Sequence, residues 1–111
     1  MKVLVTPNVY EYLENLVITL YENGYFGFED SARRYVDDLY CDIKTTLPIR
    51  PHRPAPKYFD RYGKRMKYTI FKVGKNKHTT WYAFFKTYKE DGEIIYVVRY
   101  IANNHSVAQY L

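Results

Sequence analysis

Apolar residues recur along the first half of the chain at helical spacing. After a short apolar run at Lys2-Val3-Leu4-Val5, they fall at Val9, Leu13, Leu16, Val17, Leu20 and Tyr21. Steps of three and four mark one face of a helix. Thr6-Pro7 in front supplies an N-cap and a proline at the first helical position. Gly24 suits the position just past its end. A second set follows at Ala32, Tyr35, Val36, Leu39, Tyr40, Ile43 and Leu47, opened by Glu29-Asp30-Ser31 and stopped by Pro48. Two such helices a few residues apart predict an antiparallel helical hairpin.

The period then changes. Pro48 to Pro56 holds four prolines in nine residues, which fits neither a helix nor a central strand. It predicts a stiff, extended connection with Arg50 and Arg53 standing out from it. Lys57 to Tyr62 reads as a short extended piece, and Gly63-Lys64-Arg65 as a turn. Strands are predicted over Met66–Val73, Thr79–Tyr88 and Glu93–His105. They are joined by a basic turn at Gly74-Lys75-Asn76-Lys77 and a break at Lys89-Glu90-Asp91-Gly92. Ile94 to Ala102 barely alternates, as expected of a central strand covered on both faces. Its one charge, Arg99, has two readings: an ion pair at the sheet rim, or an anion site on a concave face. Asn104 or Ser106 can cap a last turn from His105 to Leu111.

The order predicts an α+β fold: an N-terminal strand, a helical hairpin, an antiparallel three- to four-stranded sheet and a short C-terminal tail. A chain of 111 residues is one domain, 1–111, large enough to do without a metal or disulfide staple. Cys41 is alone, so no internal disulfide forms, and a reducing, cytoplasmic setting is expected. No apolar run reaches the roughly 18 residues of a membrane span, and the N-terminus does not read as a signal peptide.

Charge is split along the chain. Residues 1–47 carry four basic and eight acidic groups, a net of −4, and residues 48–111 carry thirteen and four, a net of +9. From Arg50 to Lys77 there are ten basic groups (Arg50, Arg53, Lys57, Arg61, Lys64, Arg65, Lys67, Lys72, Lys75 and Lys77) with only Asp60 opposed. Tyr58, Phe59, Tyr62, Tyr68 and Phe71 are interleaved. Cations hold phosphates and aromatic faces stack unpaired bases, so this segment is the candidate RNA-binding stretch, with Tyr110 as a further stacking candidate. Most of the 14 tyrosines are expected to be structural. Metal chemistry is not indicated: His52, His78 and His105 lack ligand spacing with Cys41 or the carboxylates. No phosphate loop is present, and no cofactor is implied.

The strand–hairpin–meander order, the Trp81-Tyr82-Ala83-Phe84-Phe85 strand and the closing Val98-Arg99-Tyr100-Ile101-Ala102-Asn103-Asn104-His105 segment resemble the RelE/ParE superfamily of toxins from toxin–antitoxin modules. The resemblance implies a cognate antitoxin as partner. It also implies one of two activities. In the ribonuclease branch, mRNA on the ribosome is cut without a metal by attack of the 2′-OH on its own phosphate. In the ParE branch, DNA gyrase is poisoned and nothing is cut. A non-catalytic nucleic-acid-binding domain is the third reading. The ribonuclease reading leads, and assigns Arg99 and His105 to the chemical core with Arg65 and Lys67 beside them. It departs from the family where Asn103-Asn104 stand in place of a terminal arginine. His105 serves there as acid or base, or else as a surface cap residue. In a regular strand Arg99, Asn103 and His105 share one face.

Overall fold

A computed structural model describes residues 1–74 and 78–111. Strand β1 (Lys2–Val5) leads into helix α1 (Pro7–Glu22), and helix α2 (Glu29–Thr46) completes the hairpin. Thr6 precedes α1 as expected, but its hydroxyl donates to Asn8 Oδ1 at 2.6 Å and caps no backbone N–H. Gly24 takes φ +76°, the left-handed conformation that ends a helix. The helices bury Val9, Leu13, Leu16 and Val17 from α1 and Ala32, Val36, Leu39 and Ile43 from α2. Tyr21, expected on the buried stripe, is 44% exposed.

The remaining strands are β2 (Arg53–Pro54), β3 (Lys67–Phe71), β4 (Trp81–Glu90) and β5 (Glu93–Asn103). Among the described residues they form a five-stranded sheet in the order β1-β5-β4-β3-β2. The sheet is mixed. β1 runs parallel to β5, because the helical hairpin carries the chain across the sheet before it returns. The other three pairs are antiparallel. The class is thus α+β, but the sheet has five strands and one parallel pair, where a purely antiparallel sheet of three to four strands was expected. The β4–β5 turn is tighter than expected. Glu90 pairs with Glu93, and only Asp91 (φ +51°) and Gly92 (φ +80°) lie between, both left-handed as a two-residue hairpin turn requires.

Both sheet faces are covered, but unequally. The helices pack on the inner face over Phe71, Trp81, Ala83, Phe85, Tyr96, Val98 and Ile101. On the outer face a second, smaller core joins Phe59, Met66, Tyr68, Phe84, Ala102 and Val107. Its cover is the 3₁₀ turn Lys57–Arg61, where an extended piece was expected, and the C-terminal helix α3 (Asn104–Val107). Asn103, not Asn104 or Ser106, caps α3, its Oδ1 accepting from the Ser106 N–H at 3.2 Å.

Arg50 is a structural residue, contrary to its place among the RNA contacts. Its guanidinium pairs with Asp42 at 2.7 Å, donates to Thr46 and to the Ile70 carbonyl, and lies 4.3 Å from the Phe71 ring centroid. It ties the proline-rich connection to α2 and β3. Arg50→Ala is expected to lower unfolding free energy by about 1–3 kcal/mol, read by urea denaturation, with little change in RNA affinity.

Candidate nucleic-acid interface

The register of β5 decides which residues share a face. Phe84 pairs with Tyr100, and Phe85 with Val98, so Arg99 is an extra residue: a β-bulge. Before the bulge, Tyr96 and Val98 face the helices. After it Ile101 does, while Tyr100 and Ala102 face outward. Arg99 and Tyr100 therefore both serve the outer face. Asn103 falls on the inner side, and His105 lies on α3, beyond the end of β5. The expectation that Arg99, Asn103 and His105 share one face is overturned, because one inserted residue reverses the parity of everything after it.

Arg99 packs its stem against Gly63, where an added Cβ would lie 3.2 Å from Arg99 Cδ and 3.0 Å from Met66 Sδ. Gly63 has φ +154°, so the approach and the backbone both call for glycine. Arg99 Nη2 donates to the Tyr88 hydroxyl at 2.5 Å, and the Arg99 carbonyl accepts from Asn8 Nδ2 at 3.2 Å. Arg99 Nε is buried without a partner. The ion pairs among the described residues are Met1 N-terminus–Glu93, Arg33–Glu14 and Arg50–Asp42. Arg99 thus has no carboxylate, and the rim ion pair is not what holds it.

The sheet beside Arg99 is open on its outer face. Lys2 pairs with Ile95 and Leu4 with Val97, and across β5 these meet Tyr88 and Lys86. Leu4 is 38% and Tyr88 43% exposed. Lys2, Lys86 and Arg99 are the cations of this patch. The ten-cation segment includes none of them; Arg99 was singled out separately, and Lys2 and Lys86 were not. The signal for Lys86 was the two-residue step from Phe84 through Lys86 to Tyr88 on one strand.

Above the patch lies a tyrosine cluster. Tyr62 stacks on Tyr100 with centroids 3.8 Å apart, and Tyr58 on Tyr110 at 3.7 Å. Arg61 lies 4.1 Å over Tyr58 and donates from Nε to its carbonyl. Burial first, then a hydrogen bond with Tyr62, holds the Tyr100 phenol well above the ordinary tyrosine range. It is a neutral hydroxyl at physiological pH, and no base. Tyr110 pins the tail through Tyr58.

The proposed chemical core is only partly assembled. Arg65 is exposed two residues after Gly63, at φ +58°, on the rim of Arg99's face. Lys67 is on the other side: it pairs with Phe85, and the outward residues of β3 are Tyr68 and Ile70. Arg53 is exposed on β2 opposite Tyr68. Lys57, Lys64 and Lys72 are exposed around the outer cover and past the end of β3. Lys75 and Lys77 lie outside the described residues.

Compared with family models, curated proteins and solved structures, the chain matches none. Among the described residues no three His, Cys, Asp or Glu side chains are grouped to hold a metal ion, and no helix is long and apolar enough to cross a membrane.

Proposed function

We propose that this chain is a toxin-type protein that binds single-stranded mRNA on the ribosome, seating a phosphate against Arg99 on the open outer face. The observation that carries this is the Arg99 guanidinium, fixed by the bulge and by Tyr88, with no carboxylate to neutralise it. A phosphate is among the anions that a guanidinium grips bidentately. Lys2 and Lys86 add charge on the same face, and the half-exposed tyrosine rings offer flat surfaces to unpaired bases. The RelE/ParE-like order of elements supports ribosome-bound mRNA as the target and a co-encoded antitoxin as the partner.

Metal-independent cleavage through the 2′-OH is the leading activity. Arg99 would neutralise the charge that develops on the phosphate. The non-cutting reading, binding of DNA gyrase as in the ParE branch, is favoured by one observation. His105 and His52 both lie away from Arg99, His52 with its Nε2 on the Leu47 carbonyl and its ring on Phe85. The test is mRNA cutting on translating ribosomes. Cutting by the wild type that is lost in Arg99→Ala supports the ribonuclease reading. Growth arrest without cutting transfers the function to the non-nuclease reading. On the binding side, log affinity for single-stranded RNA is expected to fall linearly with log salt, and Arg99→Ala to reduce that slope by roughly 0.7. A flat salt dependence removes the electrostatic interface.

A further inference from the structure

Where the tip of the helical hairpin leans over the end of the sheet, a cavity of about 630 Å³ opens. Leu16, Leu20, Phe26, Tyr35, Val73 and Trp81 make up the apolar side of its lining among the described residues. It lies on the inner side of the sheet, opposite Arg99, and has no part in the RNA interface. Its size falls in the range that takes up most of a drug-sized molecule. An apolar wall of that extent is poorly served by water.

We propose that this cavity binds a small, neutral, ring-bearing molecule that carries a hydrogen-bond acceptor. The wall is set before any ligand arrives. Trp81 is 2% exposed, and its Nε1 donates to the Tyr35 hydroxyl at 2.9 Å, fixing the indole across the gap between sheet and α2. Phe26 packs on Tyr35 at 5.5 Å between centroids. The indole N–H is therefore already engaged; Tyr35, which accepts from it, keeps its own hydroxyl proton to donate, Thr19, Asn23 and Tyr25 line the exposed side, and Asn103 offers an amide donor. Its Oδ1 is occupied by the Ser106 backbone and hydroxyl, which leaves Nδ2 to donate toward the cavity. Among the described residues the ionisable lining groups, Asp38 and His105, are both exposed, so water screens them. Among the described residues the apolar side of the lining holds no ionised group to meet a charged ligand, and burying an unpaired charge there is costly. Flat aromatic walls with hydroxyl and amide donors beside them favour a neutral ring that carries an acceptor.

Trp81 is the single tryptophan of the chain and stands in the wall, so it reports occupancy directly. The probe is dansylamide, which accepts energy from indole and carries sulfonyl acceptors. Titration of the full chain should quench Trp81 saturably, with one probe per chain. Leu20→Lys places an ammonium in the wall and is expected to weaken binding tenfold or more. Asn103→Asp keeps the capping oxygen but removes the amide donor, and is expected to weaken it about fivefold. This second variant keeps the test open should Leu20→Lys fail to fold. Anionic dansylglycine and cationic dansylcadaverine are expected to bind more weakly than dansylamide. Quenching that never saturates, wild-type affinity in a folded variant, or tighter binding of either charged probe overturns the proposal.

Discussion

Arg99→Leu is expected to weaken single-stranded RNA binding by about tenfold or more while leaving the fold as stable as before, or up to about 1 kcal/mol more stable. A charge-assisted contact is worth about 1.5–3 kcal/mol, which sets the loss in affinity. The stability side follows from the bulge. Arg99 Nε is buried with no acceptor, a desolvation cost borne by the folded state alone. Leucine removes that cost and keeps apolar contact beside Gly63, at the expense of the bond to Tyr88. Residues kept for folding lose stability when replaced, whereas residues kept for binding often do the reverse. Urea unfolding and RNA titration of the same variant separate the two roles. A loss of more than about 1 kcal/mol with unchanged RNA affinity would make Arg99 a structural residue.

Phe59→Ala is expected to cost about 3–5 kcal/mol, the largest effect of any single truncation on the outer face. Phe59 is fully buried, stacks on Phe84 at 4.4 Å between centroids and joins the 3₁₀ turn to β4 and α3. A domain of this size has roughly 5–15 kcal/mol in total, so the variant would sit near its unfolding threshold. Loosening should concentrate where Phe59 packs. Amides of residues 57–66 and of the C-terminal tail should exchange faster than those of α2, whose core lies on the other face. Uniform acceleration would mean that the two cores melt as one unit.

The helices were legible because their apolar positions recur against a polar background. Val9, Leu13, Leu16 and Val17 point one way only, and the buried set agrees. The bulge was not legible, for the opposite reason. Tyr96, Val98 and Ile101 face the helices at steps of two and then three, but their neighbours are nearly all apolar too. A strand apolar on both sides carries no alternation in its sequence, and so no mark of a slipped register, although its outer side is only part-buried. That silence misplaced His105 relative to Arg99. Arg50 was misread because its charge was counted before its partners were known: Asp42 lies eight residues upstream and meets it only once α2 and the proline segment have folded. Likewise Lys57–Arg61 shows too little pattern to tell a 3₁₀ turn from an extended piece. Lys2 and Lys86 escaped notice because they join Arg99 only through strand pairing.

Both rims of the sheet are closed to growth. The Thr6 N–H bonds inward to the Val98 carbonyl, so by alternation the Val3 carbonyl points away from β5. Lys44 reaches from α2 to occupy it at 2.7 Å. At the opposite rim β2 is two residues long and ends on Pro54, which has no N–H to offer. A second chain arriving at either side finds its template already taken or incomplete. Concentrated solutions of the folded protein should therefore resist fibril seeding, and Lys44→Ala should be the change that first lets strands of separate molecules join.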